Sequence, residues 1–247
     1  MYSGIGSSLF KIVCLLSVLA MPAALHAKDF SERDPWEGYN RAIYSFNDVM
    51  DRYMMRPVAT GYDTITPDFI QDRISNIFFN LLEVRNVFND ILQAKPGQAA
   101  NDTGRFLINS TIGLVGMFDV AEKMGLPKSD GEDFGQTLVV WGVPQGPYVM
   151  LPFLGPRTVT SAASFPVDGL IHPLTYVTHV PTRNTQWSVE LIDSRASYLK
   201  AEIMSKGDAY LFLRDAYLQR RDYLISDGAI EDDFGVDDEE FGFEDEF

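Results

Sequence analysis

From Ile70 to Ile91, seven large apolar residues (Ile70, Ile74, Ile77, Leu81, Val84, Phe88 and Ile91) recur at spacings of three and four, and the series stops at Lys95-Pro96-Gly97. An α-helix gathers such a series onto one face; a strand, with its period of two, does not. Thr66-Pro67 supplies a cap and an early proline for the start of this helix. Phe78 and Leu82 widen the stripe to roughly half the girdle. A stripe so broad fits burial between two neighbours and also fits exposure to lipid, and periodicity does not separate the two.

Further helix signals surround it. Asp34-Pro35-Trp36-Glu37 has an acceptor at the cap, proline at the first helical position and a glutamate three residues after the cap, predicting a helix from Pro35 to about Met55, ahead of Arg56-Pro57. A second runs from about Gln186 to Ser205, with Val189, Ile192, Ala196, Leu199 and Ile203 in phase. A third follows Asp208 and reaches about Ser226, with Leu211, Arg214, Tyr217, Leu218, Arg221 and Leu224 in phase, closed by Asp227-Gly228. The expected class is mainly α, one helical domain over residues 28–230 with no internal repeat; 46% hydrophobic residues suffice for a core.

Two segments depart from ordinary helix chemistry. Phe106 to Phe118 is an uncharged run in which glycines and small polar residues alternate with bulky apolar ones. It is too short to cross a bilayer yet long enough to enter one leaflet, and it equally suits a buried hairpin whose glycines permit close packing. Residues 142–157 hold three glycines and four prolines, a density that rules out a regular helix or a central strand. With Tyr148, Val149, Met150, Leu151, Phe153 and Leu154 among them, they form an ordered apolar loop, either a lid or a crossover pinned to the core.

The ends differ from the middle. Residues 1–27 read as an export signal, with Lys11 ahead of an apolar run from Ile12 to Ala20 and small residues up to Ala27; a membrane-anchoring helix is the alternative, but the run is short of the roughly 20 residues a crossing needs. Cys14, the sole cysteine, lies inside it, so no disulfide, zinc-thiolate or cysteine nucleophile is expected in the mature chain. Residues 231–247 carry ten acidic residues, interspersed with Phe234, Phe241, Phe243 and Phe247, and no base; such a tail is expected to be disordered. Of the net charge of −15, residues 28–230 carry −6, which disfavours nucleic acid as a partner.

Catalytic constellations are missing. His172 and His179 stand beside Pro173 and Pro181, and no Gly-x-Ser-x-Gly, His-Glu-x-x-His, phosphate-loop or calcium-loop pattern occurs. Asp168 four residues before His172 is the one acid–histidine pair to consider, as a catalytic pair or a local hydrogen bond. The chain is expected to be no enzyme and to need no cofactor or metal.

Three ordered motifs carry a resemblance. Asp34-Pro35-Trp36-Glu37-Gly38-Tyr39-Asn40-Arg41 with Tyr44-Ser45-Phe46-Asn47, then Phe134-Gly135-Gln136-Thr137-Leu138 through Trp141-Gly142-Val143, Gly146-Pro147-Tyr148 and Leu151-Pro152-Phe153-Leu154-Gly155-Pro156, and finally Ser194-Arg195-Ala196 with Tyr210, Arg214, Ala216-Tyr217 and Gln219-Arg220-Arg221-Asp222 resemble the signatures of the MlaA/VacJ family over about residues 33–228. The resemblance implies a ring-like or disc-like helical body in the inner leaflet of the outer membrane, on its periplasmic face. It further implies an amphipathic channel that passes mislocalised phospholipid to a periplasmic carrier of the Mla type, often beside a trimeric porin. Family members are usually acylated on a cysteine that follows the signal; none stands near Ala27, so this chain is expected to lack the acyl anchor. On motif membership and side-chain type, Tyr148, Leu151 and Phe153 are candidates for the channel gate or lining, and Asn40, Arg41 and Asn47 for polar groups near the headgroup route. Phe106, Leu107, Ile112, Leu114 and Phe118 are candidates for the membrane-facing surface. A scaffold that keeps the fold without transport is the alternative reading.

Overall fold

The computed structural model describes residues 30–199 and 207–229. The expected signal with Cys14, the acidic tail and the end of the helix predicted to reach Ser205 lie outside the described residues. Helices dominate: α1 (Glu37–Met50), α2 (Arg56–Ile65), α3 (Asp68–Leu92), α4 (Pro96–Thr111), α5 (Val120–Lys123), α6 (Phe134–Val140), α7 (Val159–Ile171), α8 (Val180–Leu199) and α9 (Ala209–Ile225). A hairpin of β1 (Tyr148–Leu151) and β2 (Gly155–Thr158) stands between α6 and α7.

Several boundaries correct the sequence reading. No capping box forms at Asp34: α1 starts at Glu37 without a side-chain cap. The Asp34 carboxylate, almost fully buried, instead accepts from Asn40 Nδ2 at 2.7 Å and from the Tyr210 hydroxyl. Nor does the chain break at Arg56-Pro57. A π-helical turn over Asp51–Met55 joins α1 to α2, and its wider hydrogen-bonding pattern admits a proline that lacks an N–H and would crowd an α-helical carbonyl. Helix α8 begins at Val180, earlier than expected, because Pro181 falls in the first turn, where no N–H is needed. Helix α7, with Pro166 inside it, carried no clear signal. The Pro/Gly-rich segment is a loop only over residues 142–147 and a hairpin beyond: Pro156 pairs with Met150 in a two-stranded sheet, where every strand is an edge and a missing N–H can face outward.

Packing closes a circuit. Helix α1 meets β1, β2 meets α9, α9 meets α6, α6 and α8 both meet α3, and α8 returns to α2, which is continuous with α1 through the π turn; α4 lies along α3. Buried polar groups fasten these joints. Asp193 of α8 accepts from Tyr62 of α2 at 2.7 Å and from Ser75 of α3 at 2.6 Å. Arg195 grips Asp51 with two bonds of 2.6 and 2.7 Å. Arg221 of α9 holds both oxygens of Asp133, whose Oδ1 also caps α6 through Gln136 N. Gly135 allows this approach: a β-carbon there would lie 2.7 Å from Arg221 Nη2 and 2.8 Å from Ser164 Oγ. The apolar core is small, with Phe30, Tyr148, Met150, Tyr210 and Leu218 beneath the hairpin and edge-to-face contacts of Tyr148 to Tyr210 and Tyr217 at 6.3 and 6.0 Å.

Candidate functional site: a polar interior inside an apolar surface

Among the described residues, 22 buried side chains are polar or charged against 10 apolar ones, while large apolar side chains crowd the surface. This reverses the usual distribution of a water-soluble domain. The inversion is sharpest on α3. Its buried residues are Asn80, Glu83, Asn86, Asn89 and Asp90, every one polar, whereas Phe69, Ile70, Phe79, Phe88 and Ile91 are exposed. Of the stripe legible in the sequence, Ile70, Phe88 and Ile91 are exposed and Ile74, Ile77, Leu81 and Val84 half-buried, while the amide and acid residues between its members line the inside. Helix α4 matches it, burying Ala99, Asp102, Arg105 and Asn109.

Polar burial of this extent is costly unless each group is paired. Arg105 supplies the main pairing: Nε donates to Glu83 Oε1, Nη2 to Asp119 Oδ2 and Nη1 to the Leu126 carbonyl, each at 2.8 Å. Burial pushes the Glu83 carboxyl up, opposed by its bonds from Arg105 and Asn86; the Asp119 carboxyl is held down by Arg105 and Asn109 against its own burial. Asn109 Oδ1 accepts from Val120 N at 2.9 Å and Ala121 N at 3.0 Å, capping α5. Asn86 bridges Glu83 and Ser129 through Nδ2 and accepts from Glu132 N. Gln93 donates to Glu132 at 2.8 Å and to Thr137 at 3.2 Å.

This framework borders two cavities. One of about 370 Å³ is lined by Asp90, Asp102, Lys128, Glu132, Tyr223 and Asp227, among others; one of about 390 Å³ is lined by Phe79, Leu82, Glu83, Arg85, Asn86 and Arg220. Residues Lys128 to Gly131 border both, and Lys128 also borders a small void beside Asn76, Asn80 and Gly116. The polar track thus runs from the end of α9 to the tip after α4. The Lys128 ammonium sits 3.4 Å from the Phe79 ring centroid, and its pKa is lowered by burial and by Arg105.

That tip is the apolar end of the molecule. Leu114 and Val115 both adopt φ near +60°, followed by Gly116 at +91°. A β-branched residue rarely tolerates this geometry, yet the two side chains are held out at 59% and 66% exposure. Gly116 is required, since a β-carbon there would come within 2.6 Å of Asn80 Cβ. Arg73 joins the tip to α3: its guanidinium lies 4.7 Å from the Phe69 ring and 4.8 Å from the Phe118 ring, and it donates to the Met117 carbonyl at 3.1 Å. Of the residues expected to face a membrane, Leu107, Ile112, Leu114 and Phe118 are exposed and Phe106 is half-buried. No helix among the described residues is long and apolar enough to cross a membrane.

The residues expected at a gate and headgroup route are brought together elsewhere, at the hairpin. Asn40 and Asn47, two turns apart on α1, act as a surrogate strand. Asn40 accepts from Met150 N at 2.8 Å and donates to the Tyr148 carbonyl at 3.2 Å; Asn47 accepts from Phe153 N at 2.8 Å and donates to the Leu151 carbonyl at 2.9 Å. Arg41 lies over the Tyr210 ring at 4.5 Å and pairs with Glu37 and Asp208. None of these six residues lines the two cavities. Asn40 is wholly buried in its clamp and Tyr148 is core, so their side chains hold the hairpin; Phe153, at 75% exposure, stands at its tip. Asp168 and His172 do not form a side-chain pair. Asp168 accepts from Phe134 N at 2.9 Å, and His172 accepts from Leu174 N and stacks on Trp187.

The interior network was missed from the sequence. Its signal was present in the helical spacing of Asn80, Glu83, Asn86 and Asp90 between apolar positions, repeated by Asp102, Arg105 and Asn109.

Comparison with known proteins agrees with this architecture. The family model described as MlaA lipoprotein matches residues 32–224. The chain is 35% identical over 203 residues to the intermembrane phospholipid transport system lipoprotein MlaA of Escherichia coli, covering 80% of each. It is 31% identical over 228 residues to the protein of that name from Haemophilus influenzae, covering 89% of this chain and 91% of the relative. A solved structure described as "Structural basis for maintenance of bacterial outer membrane lipid asymmetry" superposes with a TM-score of 0.68 at 34% identity, over 78% of this chain and 98% of the other. With the family model matched over residues 32–224, relatives 31–35% identical over most of both chains and a superposing helical fold, the chain belongs to the MlaA family.

Proposed function

We propose that this chain serves intermembrane phospholipid transport that maintains outer-membrane lipid asymmetry, withdrawing phospholipid that has strayed into the outer leaflet and passing it inward. The observation that carries this reading is the inversion of α3 and α4: apolar side chains outside, where acyl chains would lie, and a charged, amide-lined track inside, where a headgroup would travel. A molecule that handles an amphiphile needs both surfaces. The apolar end at Phe69, Ile112, Leu114, Val115 and Phe118 seats the protein in the inner leaflet of the outer membrane, with Arg73 at headgroup depth. The hairpin tip, with Leu151 and Phe153, acts as a gate that Asn40 and Asn47 position. A periplasmic carrier of the Mla type receives the lipid, and a trimeric porin flanks the body.

The test is deletion of the gene, with outer-leaflet phospholipid and detergent sensitivity as readouts. Both are expected to rise and to be restored by the wild-type chain. Unchanged values would count against transport, and release of the protein from membranes by salt or alkali would favour the scaffold reading.

A further inference from the structure

The larger part of the interior track neutralises its own charges; the cavity at the end of α9 does not. Asp90 is 1% exposed, borders this cavity of about 370 Å³, and neither of its carboxylate oxygens has a hydrogen-bond partner. Beside it, Asp102 is fully buried with Oδ2 unpartnered. The remaining acids of the lining are engaged: Glu132 with Gln93 and Lys95, Asp227 with Lys95, and Asp130 with Arg220 and Tyr223. Asp102 Oδ1 accepts from Asn101 Nδ2 at 2.9 Å, which leaves three buried carboxylate oxygens without donors beside the cavity, a set of acceptors waiting for a cation with N–H groups.

We infer that this cavity binds the primary ammonium of a zwitterionic phospholipid headgroup, Asp90 and Asp102 accepting its N–H bonds while Lys128, which also lines the cavity, meets the phosphate. The inference rests on the transport reading above and adds a headgroup preference to it. Three observations favour an ammonium over a metal ion. No three acidic or histidine side chains among the described residues converge closely enough to hold a metal. A cation lining the same cavity as the acids matches a ligand of both signs. The cavity also exceeds the roughly 30 Å³ share of a single water many times over. An ammonium also answers the energetic problem of Asp90, whose carboxyl is pushed up to about 7 by burial and by the neighbouring Asp102 and Glu132. A quaternary choline has no N–H to donate, and glycerol carries no charge, so both should bind less well than ethanolamine.

The experiment incubates the purified full-length protein with vesicles of equal parts phosphatidylethanolamine, phosphatidylglycerol and phosphatidylcholine, re-isolates it and quantifies the bound lipid. Wild type is expected to enrich the ethanolamine lipid about tenfold over the other two, the scale of charge-assisted hydrogen bonds. Asp90→Asn and Asp102→Asn, which keep side-chain shape, should return the bound ratio to that of the vesicles. A second arm needs no variant: ethanolamine hydrochloride should displace the bound ethanolamine lipid, while sodium chloride of equal ionic strength should not. Displacement by magnesium chloride as effective as by ethanolamine would assign the site to a free metal cation and overturn the inference. Lipid bound by wild type at the vesicle ratio would overturn it and leave the transport reading standing; no lipid bound at all would defeat that reading itself.

Discussion

Replacing Arg105 by methionine tests the buried network that lets this fold be polar inside. Arg105 is 2% exposed and offers 2.8 Å bonds to Glu83, Asp119 and the Leu126 carbonyl. Removing the guanidinium leaves Glu83, almost wholly buried, without its counter-charge, and leaves Asp119 with Asn109 and Glu122 N as its donors. Breaking one partner of a buried ion pair costs about 3–5 kcal/mol, because the residual charge stays desolvated. Replacing both partners costs less: in Arg105→Met with Glu83→Gln the buried charge is gone, and the double variant should recover about 1–3 kcal/mol relative to the summed singles. The assay is chemical denaturation in detergent, with all four proteins compared at pH 7.5. Below the raised pKa of Glu83 the carboxyl takes up a proton, so the cost of Arg105→Met should shrink as pH falls. Single costs that add within about 0.5 kcal/mol in the double variant would refute the network argument.

Other expectations follow the same geometry. Phe69→Ser with Ile112→Ser and Val115→Ser removes three exposed apolar side chains; at about 1–2 kcal/mol each, partition into vesicles should fall by a factor of about 100 or more, measured by flotation. Asn40→Ala should cost about 2–3 kcal/mol of stability because its clamp is buried, and Asn47→Ala about 1 kcal/mol at the more exposed tip, both read by thermal melts. The folded pKa of Asp90, about 7, lies above its unfolded value near 3.9, so its contribution to stability is full below pH 4, falls as pH rises toward 7 and levels off above; Asp90→Asn should flatten that limb of a Tm-against-pH curve. Gly135→Ala should lower Tm by forcing Arg221 off Asp133, a loss of about 1–3 kcal/mol.

How much of this was legible without coordinates differs from element to element. The helices over α3 and α9 follow from apolar spacing and from end signals such as Asp208, whose carboxylate caps α9 through Tyr210 and Leu211. Asp34 misled because a cap and a tertiary acceptor use the same side-chain chemistry, and Tyr210, 176 residues away, takes the carboxylate. Pro57 misled because a π turn absorbs it. Asn40 and Asn47, expected near a headgroup route, bond to the hairpin backbone: an amide that contacts a ligand and one that completes a hairpin edge look alike in sequence.

The sequence by itself determined helical content, the apolar stripes and, through three ordered motifs, the family, because local periodicity and cap chemistry act over a few residues. It left the direction of those stripes open. Which face of α3 turns outward depends on Arg105, Asn109 and the 127–132 segment closing over Glu83, Asn86 and Asp90. Those groups meet only when distant stretches of chain come together, so tertiary structure alone decided that the polar side is the inside.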